Sequence, residues 1–140
     1  MTQTTLIKPA AIARKKYKID AQNYTLGRLA VRIAKYLQGK QRVEFTPYSD
    51  NGDFVYVENA ALVKFTGNKL TQNRYTHYSG YPGGISRIAL KDMMKKSPEF
   101  VVREAVRGML PKNKLRKFRL RRLKFLENKN ASVKFDGTIK

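Results

Sequence analysis

Between Thr25 and Lys40 the chain reads TLGRLAVRIAKYLQGK, and its apolar residues return every third or fourth place. Wound at 100° per residue, Leu26, Leu29, Ala30, Ile33, Ala34 and Leu37 fall within an arc of roughly 140°, which predicts an amphipathic helix. Thr25 suits its N-cap and Gly39 its left-handed stop. Arg28, Arg32 and Lys35 stack on the opposite face. The plain reading of that stripe is a solvated face. Lys40 and Arg42 follow it, and no acid stands between Asp20 and Glu44, so a phosphate-facing stripe is favoured. A second periodic stretch begins at Ser97, an N-cap, with Pro98 in the first turn and Glu99 beside the positive helix end. Val102, Ala105, Val106, Met109 and Leu110 form its apolar stripe, and Pro111 ends it. A short helix around Ala89–Lys96 precedes it.

Strand signals stand between these helices. YKID (17–20) is short, FVYV (54–57) is an apolar run that reads as a buried strand, and VKFT (63–66) reads as another. Few residues join the last two, so their mutual direction stays open. FTPYSDNGD (45–53) is a loop broken by Pro47 and Gly52. LKFL (123–126) returns to the sheet as a last strand. The chain therefore divides into a polar, then basic, arm over 1–16, a body of alternating strand and helix signals over 17–126, and a polar tail over 127–140 that a partner would order.

The pattern fails over GNKLTQNRYTHYSGYPGG, Gly67 to Gly84, where four glycines and a proline predict an irregular segment. Tyr75, Tyr78 and Tyr81 recur every third residue, with Lys69, Arg74 and His77 among them. Rings that stack on bases and bare backbone that approaches phosphates suit RNA. An ordinary tyrosine-rich loop folded on the core is an equal reading. The pattern fails again over MLPKNKLRKFRLRRLKF, Met109 to Phe125, which holds eight cations (Lys112, Lys114, Arg116, Lys117, Arg119, Arg121, Arg122 and Lys124) and no acid. On a helical wheel Arg119 and Arg122 fall among Leu115, Phe118 and Leu123. Like charges repel there, and nothing inside the segment offsets them. The expectation is a cationic foot neutralised by phosphates.

Charge enlarges that expectation to the whole chain. Thirty Lys and Arg face ten Asp and Glu, a net charge of +20 on 140 residues, while 41% hydrophobic residues suffice for one core. Such an excess is the footprint of a polyanion, and nucleic acid fits better than a membrane, because no segment pairs a basic face with a broad insertable apolar one. No cysteine is present, which excludes disulfides, thiol catalysis and cysteine-held metals. His77 is the only histidine, and a loop contact is its better reading than a metal or triad role. Asp50, Gly52 and Asp53 resemble a calcium loop faintly, but the ligand series stops and a turn is the better reading. Tyr36 and Lys40 share a dehydrogenase spacing without the glycine-rich turn that would give it meaning. No catalytic constellation, metal site, cofactor site or small-molecule substrate is expected.

Five stretches together resemble a known family: DAQNYTLGRLA (20–30), TPYSDNGDFVYVENA (46–60), FTGNKL (65–70), HYSGYPGG (77–84) and AVRGMLPKNKL (105–115). In this order and spacing, over about 110 residues, they resemble the bacterial-type large-subunit ribosomal protein thirteen family. Tyr48 and Tyr78 stand where that family usually has His. The resemblance implies an α/β/α fold around a small, mostly parallel sheet with basic extensions, and no enzyme activity. It implies a structural constituent of the large ribosomal subunit that binds its RNA directly, supports early assembly and touches neighbouring ribosomal proteins. It places the chain in a cytoplasmic ribosome, with an organellar one as the alternative. It carries RNA contact over to Gly67, Asn68 and Lys69, to Ser79, Gly80, Tyr81, Pro82, Gly83 and Gly84, and to the segment from Arg107 and Gly108 through Lys112, Asn113 and Lys114. The competing readings are a free RNA-binding regulator or chaperone and, from another class, a small nucleotide enzyme. Location of nearly all copies in the subunit separates the first from the second, and the missing phosphate loop opposes the third.

Overall fold

The computed structural model describes residues 12–126 and 133–139. β1 (Lys16–Asp20) and β2 (Phe54–Glu58) lie side by side in parallel, and α1 (Leu26–Gln38) belongs to the connection between them. β5 (Leu123–Leu126) adds in parallel to β2 and β6 (Gly137–Thr138) in parallel to β1, giving the order β5-β2-β1-β6. The fold is α/β around a small parallel sheet, as expected.

The core forms where the apolar stripe of α1 meets the sheet and α4 (Pro98–Met109). Leu29, Ala30, Ile33 and Leu37 share one buried cluster with Val55 and Val57 of β2 and Val102 and Val106 of α4. Each fully buried aliphatic side chain contributes about 1.5–3 kcal/mol. The stripe on α4 is rotated from the expected one: Val101 is fully buried, whereas Met109 keeps 47% of its surface. The helix ends there, and the next residue, Leu110, turns inward instead.

Both helix starts differ from expectation in one respect. Thr25 and Ser97 occupy the cap positions, but neither side chain makes a capping bond. The backbone takes over at α1: the Leu26 N–H donates to the Lys64 carbonyl at 3.1 Å. VKFT is not the expected strand: with the Lys64 N–H donating to the Tyr24 carbonyl at 3.2 Å, this bond makes a single isolated bridge. Its one ladder contact is the bridge Thr25–Lys64. At the other end Gly39 takes the left-handed conformation (φ 81°) and closes α1. Gly52 then lies against that end so closely that a Cβ would stand 1.8 Å from the Leu37 carbonyl oxygen. Only glycine allows the 50–53 loop to rest there.

The segment 67–84 is not irregular. It holds a single helical turn, α2 (Lys69–Gln72), and β3 (Arg74–Tyr78), which pairs antiparallel with β4 (Ile85–Ala89) before α3 (Leu90–Lys96). The glycines are confined to Gly67 before the turn and to the hairpin tip at 80, 83 and 84, which leaves 74–78 free to pair. The foot holds α5 (Leu115–Arg121) and then β5. Part of the polar tail belongs to the sheet: Ile139 is 4% exposed, and its N–H donates to the Lys18 carbonyl at 2.8 Å. For residues 133–139 the expectation of partner-dependent order is therefore corrected. The rest of the tail, 127–132 and 140, and positions 1–11 of the arm lie outside the described residues.

Candidate nucleic-acid interface

The basic stretch splits into two populations. Arg119 and Arg122 are buried, at 2% and 7% exposure. Arg122 donates two bonds to Asp50, both 2.5 Å, and a third to the Leu37 carbonyl at 3.2 Å. Arg119 Nε lies 3.7 Å from the same carboxylate. Burial holds the Arg119 guanidinium below its ordinary pKa, with Asp50 opposing that shift. These two side chains leave the solvent-facing foot: they turn inward with Leu123, whereas Phe118, on the same side of the wheel, stays 50% exposed. The sequence expectation is corrected on this point.

Asp50 and Asp53, read as a turn, act as two anchors. Asp53 is 1% exposed. It accepts from Gln41 Nε2 at 2.5 Å and from the Lys15 backbone N–H at 2.9 Å, and it pairs with Arg42. Arg14 donates to the Gly52 carbonyl at 2.6 Å, and Arg42 to the Ala13 carbonyl at 2.6 Å. The loop thus ties the end of the N-terminal arm, the C-terminal end of α1 and the foot to one point. The signal in the sequence is two of the ten acids placed close together in one loop, but their partners lie up to 72 residues away.

The other population faces solvent. Lys112, Lys114, Lys117, Arg121 and Lys124 are exposed and Arg116 half-buried. Among the described residues none of these six forms an ion pair. Arg121 lies over the Phe118 ring at 5.7 Å, so an exposed phenyl supports it rather than a carboxylate. Asn113 is exposed in the turn before α5, and its N–H donates to the Pro111 carbonyl. Arg107 and Gly108 are exposed at the end of α4, but Arg107 is paired with Glu104.

The hairpin is exposed at every strand position except Tyr75 and Ala89, which are half-buried. Strand alternation puts Arg74, Thr76 and Tyr78 on one face with Ile85 and Arg87, and Tyr75 with His77 on the other. Tyr75 packs edge-on to Phe100 at 5.7 Å, and burial raises its phenol pKa. It is a foot of the hairpin on the body, as the alternative reading of a folded-back loop has it. Tyr78 and Tyr81 behave otherwise, at 59% and 76% exposed. The tip is closed by its own backbone: the Ser79 N–H donates to the Gly84 carbonyl at 3.0 Å and the Gly84 N–H to the Tyr81 carbonyl at 2.9 Å. Gly80 and Gly83 have φ of 90° and 75°, and Pro82 stands between them in the exposed tip. Arg87 was missed because β4 was not recognised as the partner of β3.

Between hairpin and body runs a groove of about 890 Å³, lined by the start of α1, the 64–75 segment, α3 and α4. Arg28 and Arg32 come from α1, Lys69 from α2, and Arg74 and Tyr75 from β3, with Lys64, which sequence reasoning missed, added from the segment that caps α1. Gly67 and Asn68 are exposed in the turn that leads into α2. Lys35 and Lys40 are exposed but are not part of this groove.

A family model described as ribosomal protein L13 matches residues 14–132. The large ribosomal subunit protein uL13 of Clostridioides difficile is 50% identical over 119 residues, covering 85% of this chain and 83% of the relative. That of Geobacter sulfurreducens is 47% identical over 124 residues, covering 89% and 87%. That of Thermotoga petrophila is 48% identical over 122 residues, covering 87% and 82%.

Proposed function

Since the chain belongs to the ribosomal protein L13 family, a ribosomal and structural role with no enzyme activity, we propose that it acts by gripping the large-subunit ribosomal RNA directly. The observation that carries this reading is the foot. Lys112, Lys114, Arg116, Lys117, Arg121 and Lys124 cluster without an ion-pair partner among the described residues, on a segment fastened to the core through Arg119 and Arg122. A rigid element that carries unpaired cations is suited to phosphates, because little ordering entropy is lost on binding. The hairpin adds exposed Tyr78 and Tyr81 beside Arg74 and Arg87. Recognition of this kind follows RNA shape and backbone more than sequence. We further propose that the grip forms early in assembly, that neighbouring ribosomal proteins complete the contacts, and that the setting is the cytoplasmic ribosome.

The test is a sucrose gradient of native lysate with a high-salt wash, the protein being followed by mass spectrometry. Stoichiometric recovery in the large subunit is expected. Recovery mainly at the top of the gradient would favour a free RNA-binding regulator or chaperone instead.

A further inference from the structure

The groove edged by Arg28, Arg32, Lys64, Lys69 and Arg74 has a floor of another chemistry. Leu26, Val31, Phe65, Leu90, Ala105 and Met109 line it, and Val31 and Met109 leave 54% and 47% of their surface in water. Among the described residues no carboxylate lines it. Glu104, which acts on the nearby Tyr75 phenol, is paired with Arg107. Arg32 lies over the Tyr24 ring at 4.8 Å, which steadies its guanidinium at the edge of the groove.

A phosphate alone gains nothing from an apolar floor, and an apolar ligand has no use for five cations. The two halves fit a molecule with a flat, weakly polar body carried on an anionic chain. The volume falls within the range of roughly 300–1,000 Å³ that small-molecule sites occupy. An acidic peptide meets the same charges, and Thr66, Gln72 and Asn73 in the lining can bond its backbone, but it carries no flat ring to lie on the apolar floor beside its charge. Resting on the RNA-binding reading above, we propose that this groove takes one unstacked nucleotide of single-stranded RNA, with its base on the apolar floor and its flanking phosphates on the cationic rim. The protein then senses an unpaired position in the RNA as well as holding its backbone.

The experiment uses the full chain and fluorescence anisotropy at one fixed low salt. The two probes are a fluorescein-labelled adenosine hexamer and a hexamer of abasic ribose phosphates with the same charge. The adenosine hexamer should bind about fivefold tighter or more. A Val31→Ser/Met109→Ser variant, altered only at half-exposed positions, should bring that ratio near one with its thermal melt unchanged. A Lys114→Gln/Lys117→Gln/Arg121→Gln variant should weaken both probes and keep the ratio. Equal binding of the two probes by the unaltered protein overturns the groove assignment and leaves RNA binding standing. Binding of neither overturns both readings. An unchanged ratio in the serine variant places the base elsewhere and overturns the proposal. Equal probes together with saturable binding of an acidic, leucine-bearing peptide would hand the groove to a protein segment and overturn it as well.

Discussion

The hairpin of β3 and β4 and the basic stretch from Lys112 to Lys124 start from the same material: cations, a few large apolar residues and no acid in the strands or helix themselves. They end differently. In the hairpin Arg74, His77 and Arg87 all stay exposed, as do Tyr78, Ile85 and Ile88. In the basic stretch two of the arginines are taken into the body with Leu123. The difference is a carboxylate. Asp50 waits beside the end of α1 and receives Arg122 through two bonds, with Arg119 close by. Among the described residues no acid pairs with the hairpin arginines in that way. Burying a guanidinium without a partner costs several kcal/mol, so the cations that meet no acid stay in water. The same residue type therefore builds the fold in one place and the binding surface in another.

The sharpest way to break this comparison is to remove the carboxylate. Asp50→Asn should destabilise the protein by about 3 kcal/mol, because it leaves buried guanidiniums uncompensated. Arg87→Gln on the hairpin should stay within roughly 0.5 kcal/mol. Urea unfolding of both variants measures the contrast, and equal losses would erase it. Next comes the exposed half of the foot. Arg116→Gln/Lys117→Gln/Arg121→Gln should make the plot of log affinity for RNA against log salt shallower by about two units, with stability unchanged. Adding Arg119→Gln and Arg122→Gln should unfold the protein rather than flatten the slope further.

A smaller effect is expected at the hairpin tip. Tyr81→Ala should cost about 1 kcal/mol of RNA affinity and nothing in the melt, since the ring is 76% exposed and stacking on a base is the use proposed for it. The smallest effect concerns alkaline pH. Burial raises the phenol pKa values of both Tyr17 and Tyr75 above 10.0. The folded state then holds these protons more tightly than the unfolded one. Their contribution is fully present below pH 10 and is lost as pH rises through the folded values. Melts between pH 9 and 11 should fall for the unaltered protein and fall less for Tyr17→Phe/Tyr75→Phe.

Much of the body could be read along the chain. The stripe of α1, the stop at Gly39, the strand at FVYV and the returning strand at LKFL are each set by neighbours a few residues away, where periodicity and backbone sterics act. What misled was context. VKFT has strand composition, yet its carbonyl at Lys64 is used to satisfy the first N–H of α1. The tyrosine segment has loop composition, yet three of its four glycines cluster at one tip and leave 74–78 free to pair with 85–89.

The sequence by itself determined the character of this protein: a small α/β core carrying far more positive charge than its own acids can balance, and a family resemblance precise enough to name. Hydrophobic period and net charge are properties of the chain, so they need no tertiary information. Only the folded structure decided which cations are free. That choice depends on whether a carboxylate such as Asp50 or Asp53, distant in sequence, comes within reach of the guanidinium. It also decided that Arg28 and Arg32 of α1 share the edge of one groove with Lys64, Lys69 and Arg74, because proximity between stretches distant in sequence arises from packing and has no counterpart in local composition.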